Sequence, residues 1–181
     1  MKVYTVQRLE TYYRMREQGY LIGDEKFVWE DFKKPYQWMM KQMEKKIEGY
    51  NGKDYPIWVW KRKVNRNEHA LLSKGIKGVI LTLEIPEDKI LWSDFDHWHF
   101  VLNNGPITES EDEWERYLED EESYPTEDSW EKIFDFNLLR SLDNDWNGKF
   151  NEDWIQGVTP KITMSMVKKV TRFIAKGSKH Y

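Results

Sequence analysis

The chain has 181 residues, of which 33% are charged and 15% aromatic, and its formal net charge is −4. It contains no cysteine, which excludes disulfide bonds, cysteine-type zinc sites and thiol catalysis. The overall acidity argues against a protein dedicated to binding duplex DNA, since such proteins are usually basic. The length suits one domain, and 10 Trp, 10 Tyr and 8 Phe predict a core built on aromatic side chains.

The first half of the chain predicts two strands and two helices. Residues 2–7 alternate in the manner of a strand, and a helical pattern follows that is closed by Gly19. Residues 31–47 predict a second helix, whose methionine-rich apolar stripe is typical of a core-facing surface. Residues 55–60 predict an aromatic strand.

The second half predicts more strands and several capped helices. Strands are predicted at residues 78–85, 90–92 and 153–158. Helices are predicted to begin at Ser93, Ser110, Thr126 and Pro160. The last of them depends on apolar residues at roughly helical spacing, namely Ile162, Met166, Val170 and Phe173.

These elements together predict an α+β fold in one domain. We expect a small mixed sheet of three to five strands, with helices inserted between the strands. The domain is expected to span residues 1–175, and residues 176–181 are expected to form a frayed tail.

The chain shows no targeting or membrane-spanning pattern. Its start has no long apolar segment of the kind found in signal peptides, and no window approaches 18 apolar residues. We therefore expect a soluble, cytoplasmic protein without a membrane partner.

An aromatic platform is the first candidate for a binding site. Trp58 and Trp60 are two residues apart on a predicted strand, so their indoles should lie on one face. Such a platform either packs a core or stacks a flat ligand. Beside it, the basic loop that contains Lys61, Arg62 and Arg66 could contact an anion.

Further candidates are polar groups on other predicted elements. Gln7 and Gln156 lie on predicted strands, where an amide is either exposed at a sheet edge or faces a ligand. Trp98, His99 and Asn103 lie on the helix that Ser93 is expected to cap. His97 and His99 could share a metal ion only if that segment were extended, because a helix points them to different sides.

Other chemistries have little support in the sequence. The acidic segment 109–136 holds 13 Asp and Glu against 2 Lys and Arg, which is typical of solvated helix faces. No acid is singled out as desolvated, as paired-carboxylate catalysis requires. Serine-hydrolase, phosphate-loop and dinucleotide-binding glycine motifs are absent from the sequence.

From the first strand to the last, the chain resembles a bacterial family of unknown function, DUF3841. The segments that carry this resemblance are 3–7, 35–40, 55–60, 83–86, 98–103 and 155–158. The resemblance implies no established activity.

The chain is also distantly similar to small ADP-ribosyltransferase-like folds. Those folds begin with a strand and a helix ending in Gly, and they finish with a strand that carries a catalytic Glu before a Pro-led helix. Here the matching order is residues 4–19, then Gln156 and Pro160. The resemblance implies NAD as cofactor, with Gln156 and His99 near the nicotinamide ribose.

Three hypotheses about function follow. In the first, an aromatic-lined cleft binds a planar or nucleotide-like ligand, with Trp58, Trp60 or Trp98 stacking on it. In that hypothesis the orienting and anion-binding groups are Gln7, Gln156, His99, Asn103, Lys61, Arg62 and Arg66. In the second, the protein is an unconventional or degenerate NAD-using transferase. In the third, segment 109–136 binds a basic protein partner and the tryptophans only form the core.

Overall fold

The computed structural model describes residues 1–177, which fold around an antiparallel sheet. The strands are β1 (Lys2–Arg8), β2 (Tyr20–Leu21), β3 (Ile57–Trp60), β4 (Lys77–Glu84), β5 (Leu91–Asp94), β6 (Ile155–Thr159), β7 (Ile162–Thr163) and β8 (Val167–Ile174). The α-helices are α1 (Leu9–Gln18), α2 (Lys33–Lys46), α3 (Phe95–Leu102), α4 (Glu111–Glu119), α5 (Thr126–Ser129), α6 (Phe136–Ser141) and α7 (Asn144–Asn147).

The main sheet has the strand order β5-β6-β3-β1-β4-β8, and β2 pairs with β7 in a separate ladder. The predicted α+β class is confirmed. The main sheet has six strands rather than three to five, and its pairs are all antiparallel rather than mixed.

The main sheet consists of two three-stranded halves that meet at one point. β1 pairs with β4 along its whole length, from Lys2 opposite Glu84 to Arg8 opposite Gly78. β3 pairs with β6 at each of its residues. Between the halves, β1 and β3 share only the pair Tyr4–Trp60. The sheet is therefore continuous in order but weakly joined at its centre.

Each face of the sheet is covered by its own apolar cluster. On one face α1 packs against the strands, and this cluster includes Val3, Tyr12, Met15, Val59 and Leu81. On the other face α2 and α3 pack against the strands, and this cluster includes Met39, Met43, Trp98, Trp130 and Val158. The methionine-rich stripe of α2 thus lies in the core, as its spacing predicted.

The ends of the helices follow from local chemistry. α1 ends at Gly19, whose φ of 87° is accessible to glycine and whose N–H donates to the carbonyl of Met15 at 2.8 Å. The cap of α3 is Asp94, whereas the sequence predicted Ser93, because β5 extends to Asp94, two residues beyond the predicted strand. Asp94 Oδ1 accepts the N–H of His97 at 2.9 Å.

The predicted C-terminal helix is wrong. Residues after Pro160 form β7, a short 3-10 turn and then β8, which pairs with β4 from Lys77 to Leu83. β8 is rich in β-branched residues, which favour a strand, and it forms an edge of the sheet, with a register shift opposite Thr82 and Leu83. Of the tail predicted at 176–181, residues 178–181 lie outside the described residues, so its fraying stays a prediction.

No helix within residues 1–177 combines the length and the apolar character needed to cross a bilayer.

We predict that Gly157→Ala destabilises the fold by about 1–3 kcal/mol through overpacking. A Cβ at Gly157 on β6 would lie 2.5 Å from Ile90 Cγ2 and 2.8 Å from Trp92 Cε3. Trp92 lies directly opposite Gly157 on the neighbouring strand β5. Urea unfolding followed by circular dichroism measures the effect. Gly105→Ala is the matched control, because its Cβ would approach no atom closer than 3.6 Å and should change stability by less than about 0.5 kcal/mol. Equal stability of the two variants would contradict the packing described.

Candidate functional site

A cleft opens where β1 and β3 separate. Within the described chain, the pair Tyr4–Trp60 is the single register position between these strands, so the end of β1 and the beginning of β3 are not paired. The space between them is a cleft of about 880 Å³. Its walls are the end of β1, one side of α1, residues 20–28, the start of α2 and residues 53–58. A volume of this size lies in the range of small-molecule sites.

The direction of the backbone in β3 explains why the separation leaves open hydrogen-bonding groups. The N–H of Lys61 donates to the carbonyl of Ile155 on β6 at 3.5 Å. The backbone N–H and carbonyl groups of the odd-numbered residues of β3 therefore point toward β6. Backbone groups alternate along a strand, so those of Trp58 and Trp60 face β1. Trp60 uses its groups in the single pair with β1. Within residues 1–177, the N–H groups of Trp58 and Val6 have no strand partner across the gap.

A side-chain relay replaces the missing strand pairing at the point of separation. The buried hydroxyl of Thr5 donates to the carbonyl oxygen of Trp58 at 2.8 Å. Gln7 Nε2 in turn donates to Thr5 Oγ1 at 2.9 Å. The relay satisfies one carbonyl that a regular sheet would have paired, and it fixes the side chain of Gln7 at the cleft wall.

An aromatic wall lines one side of the cleft. Trp58 Nε1 donates to the hydroxyl of Tyr36 at 3.0 Å, and the two rings meet edge to face at 6.4 Å. Tyr36 also stacks on Tyr55 at 6.2 Å. Burial raises the pKa of Tyr36, against the opposing effect of the Trp58 hydrogen bond, so Tyr36 is a neutral phenol at physiological pH. These rings give this side of the cleft an apolar surface with polar edges.

Two arginines supply positive charge to the same cleft. Arg8 ends β1, and Arg14 lies on α1, where its guanidinium reaches only Thr11 Oγ1 at 3.5 Å. Within residues 1–177, neither guanidinium lies within 4.0 Å of a carboxylate. Both side chains are exposed and can therefore meet an anion without first breaking an ion pair.

Two of the three carboxylates at the cleft, by contrast, are already paired with a lysine. Asp24 pairs with Lys26, and the hydrogen bond from the Lys26 ammonium lowers the pKa of Asp24. Glu25 lies 3.4 Å from Lys33 Nζ. The third, Asp54, accepts a hydrogen bond from the Asn51 amide at 2.8 Å. Two paired acids beside two arginines without a carboxylate partner leave the cleft suited to an anionic ligand.

Trp60 lies at the edge of the cleft, and Arg62 lies over its ring. The guanidinium carbon of Arg62 is 5.2 Å from the centre of the Trp60 ring. Arg62 is held there by Glu68, which accepts two hydrogen bonds of 2.9 Å. These bonds lower the pKa of the Glu68 carboxyl. Arg62 is thus paired, and neither it nor the exposed Arg66 lines the cleft.

The other predicted site residues lie away from the cleft. Trp98 is only 3% exposed and packs in the core against Tyr36 and Trp58. His99 and Asn103 are exposed on α3. His99 Nδ1 lies 2.8 Å from the carbonyl oxygen of Phe95, and the Asn103 amide donates to the carbonyl of His99. The structure therefore does not bring these residues together with Gln7.

Gln156 also lies outside the cleft, in the interior of the sheet. β6 is flanked by β5 and β3, so exposure at a sheet edge, one of the two alternatives, is wrong. Gln156 is 4% exposed, and its Nε2 has no hydrogen-bond partner within residues 1–177. It lies directly opposite Ser93, whose hydroxyl is likewise without a partner in that range.

The histidines of α3 serve different local contacts. His97 Nδ1 lies 2.7 Å from Asp94 Oδ1 in the interior, whereas His99 is exposed. The segment is helical, and the two imidazoles accordingly point to different sides. Within residues 1–177, no group of three His, Asp or Glu side chains is placed to hold a metal ion.

The acidic segment begins with a capped helix. Ser110 caps α4 and accepts the N–H of Glu113 at 3.2 Å, as the sequence predicted. Lys132 lies 3.0 Å from Glu109 and 3.4 Å from Glu113, so part of the acidity is balanced internally. A role for this segment in binding a protein partner stays a prediction.

Of the predicted site residues, Gln7, Trp58 and Trp60 line the cleft, and most of its lining is not predicted by the sequence, including Arg8, Arg14, Tyr36 and Tyr55. One signal is present, because Thr11, Arg14 and Gln18 recur at helical spacing and so form a polar face on α1. Arg8 follows directly after the predicted strand at residues 2–7. Tyr36 belongs to the predicted core stripe of α2, and nothing local distinguishes its position from that of Met39.

Comparison with known families identifies the chain. The model of the domain of unknown function DUF3841 matches residues 2–157, and the chain belongs to this family. No curated protein and no solved structure matches the chain. The bacterial origin and the likeness to ADP-ribosyltransferase folds stay predictions.

We predict that Thr5→Val weakens the fold by about 1–3 kcal/mol, because the carbonyl of Trp58 and the amide of Gln7 lose their buried partner. The size and branching of the side chain are kept. Urea unfolding followed by tryptophan fluorescence measures the loss. Thr163→Val, at a partly exposed threonine bonded to Ser165, is the control and should cost less than about 0.5 kcal/mol. A Thr5→Val variant as stable as the wild type would show that the relay contributes nothing.

A second prediction concerns alkaline pH. Burial and the nearby Asp54 and Glu44 raise the pKa of Tyr50 to about 12, and its hydroxyl donates to the carbonyl of Asp54. The folded state then keeps a proton that the unfolded state releases above about pH 10, so stability falls as pH rises from about 10 to 12.

Measured over that range, the free energy of unfolding should fall less steeply in Tyr50→Phe than in the wild type. Tyr13→Phe, at an exposed position on α1, controls for the loss of a phenol as such. Identical slopes for the wild type and Tyr50→Phe would refute this assignment.

Proposed function

We propose that this DUF3841 protein binds a flat, anionic ligand of the nucleotide class in the cleft between β1 and β3. One observation carries the proposal: the same cleft is lined by Tyr36, Tyr55 and Trp58 and by Arg8 and Arg14, whose guanidinium groups have no carboxylate partner within residues 1–177.

The aromatic wall suits a planar ring. Stacking of a base on an aromatic side chain contributes about 1–3 kcal/mol and tolerates different bases, because every base has a π face. Trp58 is held in place through its hydrogen bond to Tyr36, so little side-chain freedom would be lost on binding.

The arginines suit a phosphate. A guanidinium presents parallel N–H donors that match phosphate oxygens, and hydrogen bonds to charged groups contribute about 1.5–3 kcal/mol. The two arginines approach from different elements, the end of β1 and the side of α1. The anion contact is thus assigned to Arg8 and Arg14 in place of Arg62 and Arg66.

Binding is the part of the function that the cleft supports. His99 and Gln156, the catalytic candidates of the NAD-using alternative, do not line it, and their catalytic role stays a prediction. NAD is nevertheless a member of the ligand class, so it belongs among the ligands tested.

Titration calorimetry with AMP, adenosine, ribose 5-phosphate and NAD tests the proposal. AMP should bind, and adenosine and ribose 5-phosphate should each bind at least about tenfold more weakly, because each lacks one of the two contacts. Arg8→Ala should weaken AMP binding about tenfold or more but leave adenosine binding nearly unchanged.

Arg16→Ala is the matched control, because Arg16 is exposed on the same helix as Arg14 but does not line the cleft. It should bind AMP as the wild type does. The absence of binding by any of the four compounds at millimolar concentration, or equal losses in Arg8→Ala and Arg16→Ala, would contradict the proposal.

A further inference from the structure

Gln7 stands at the point where β1 leaves β3, and it lines the cleft from the opposite side to the Trp58 indole. Alternation places the side chains of Gln7 and Trp58 on different faces of the sheet. The cleft reaches both because the strands have separated between them. A flat ligand between the strands would therefore have Trp58 on one side and the Gln7 amide within reach on the other.

The orientation of the Gln7 amide is fixed by chemistry. The hydroxyl of Thr5 donates its only hydrogen bond to the carbonyl of Trp58, so any second hydrogen bond at Thr5 Oγ1 must be an accepted one. The amide nitrogen of Gln7 can supply that bond and the amide oxygen cannot. A flipped amide would place two acceptors against each other, and the Gln7 Nε2 is therefore directed to Thr5.

This arrangement leaves a defined pair of groups for a ligand. Within residues 1–177, Gln7 Oε1 and the second N–H of Nε2 make no hydrogen bond. They present an acceptor beside a donor, as a carboxamide does when it reads the edge of an amino-substituted base. The complementary ligand edge carries a donor beside an acceptor.

We propose that Gln7 is the specificity-determining residue of the cleft and selects a ring whose edge carries a hydrogen-bond donor beside an acceptor, as 6-aminopurine does. The inference rests on the proposed nucleotide-binding function. It assigns Thr5 as a positioning residue that acts through Gln7.

The test compares two ligands that differ only at that edge: AMP and purine riboside 5′-monophosphate, which lacks the 6-amino group. Wild-type protein should prefer AMP by at least about fivefold, since a bidentate amide contact discriminates against a ligand that lacks one of the two groups. Gln7→Met should abolish the preference, because AMP loses both contacts with the amide and the analogue loses only the contact at its ring nitrogen.

Further variants separate specificity from fold. Gln7→Glu keeps the acceptor that the 6-amino group requires but removes the donor to the ring nitrogen, which both ligands carry, so it should weaken the binding of both ligands. Thr5→Val should reduce the preference because it releases the amide to rotate. Gln37→Met, at an exposed glutamine on α2 outside the cleft, should keep the wild-type preference. Melting curves of each variant identify any that do not fold.

The outcomes distinguish the two proposals. Binding of AMP with no preference over the analogue, or a preference that survives in Gln7→Met, would overturn the role of Gln7 and leave nucleotide binding standing. The absence of binding of either ligand to the wild type would overturn nucleotide binding and this inference together.

Discussion

The junction between β1 and β3 determines the rest of the structure. Two strands at the centre of a sheet normally pair along their whole length, because each unpaired buried backbone group costs free energy. Here one pair, Tyr4–Trp60, joins the halves, and beyond it the strands separate. The separation is tolerated because Thr5 satisfies the carbonyl of Trp58 and because the remaining groups open into a cleft.

The two halves of the sheet stay together because one apolar cluster spans both, joining Val3 and Leu81 on β1 and β4 to Val59 on β3. α1 covers one face through Tyr12 and Met15, and α2 and α3 cover the other with large aromatic and methionine side chains. Buried indoles such as Trp98 and Trp130 supply area that the modest aliphatic content does not. The tryptophans thus serve more than one role: Trp98 and Trp130 build the core, and Trp58 and Trp60 reach the cleft.

Local patterns predicted much of the fold and part of the site. The strand at residues 2–7, the helix that ends at Gly19 and the shared face of Trp58 and Trp60 each depend on short-range periodicity or capping, and the structure agrees with them. The C-terminal helix failed because pairing with β4 outweighed a chance helical spacing. The cleft could not be predicted, because it depends on which strand lies beside β1 and on the residue at which their register ends. Arg8 joins Trp58 only through that long-range contact.

The central claim is that β1, after Tyr4, separates from the part of β3 that precedes Trp60, and amide hydrogen exchange measured by NMR tests it most directly. In β3, the N–H of Val59 faces β6 and that of Trp60 pairs with β1, so both should be protected. The N–H of Trp58, which faces the gap, should exchange at least about tenfold faster than its neighbours, as should that of Val6. Protection of Trp58 and Val6 equal to that of Val59 and Trp60 would show that the strands pair throughout and would contradict the account.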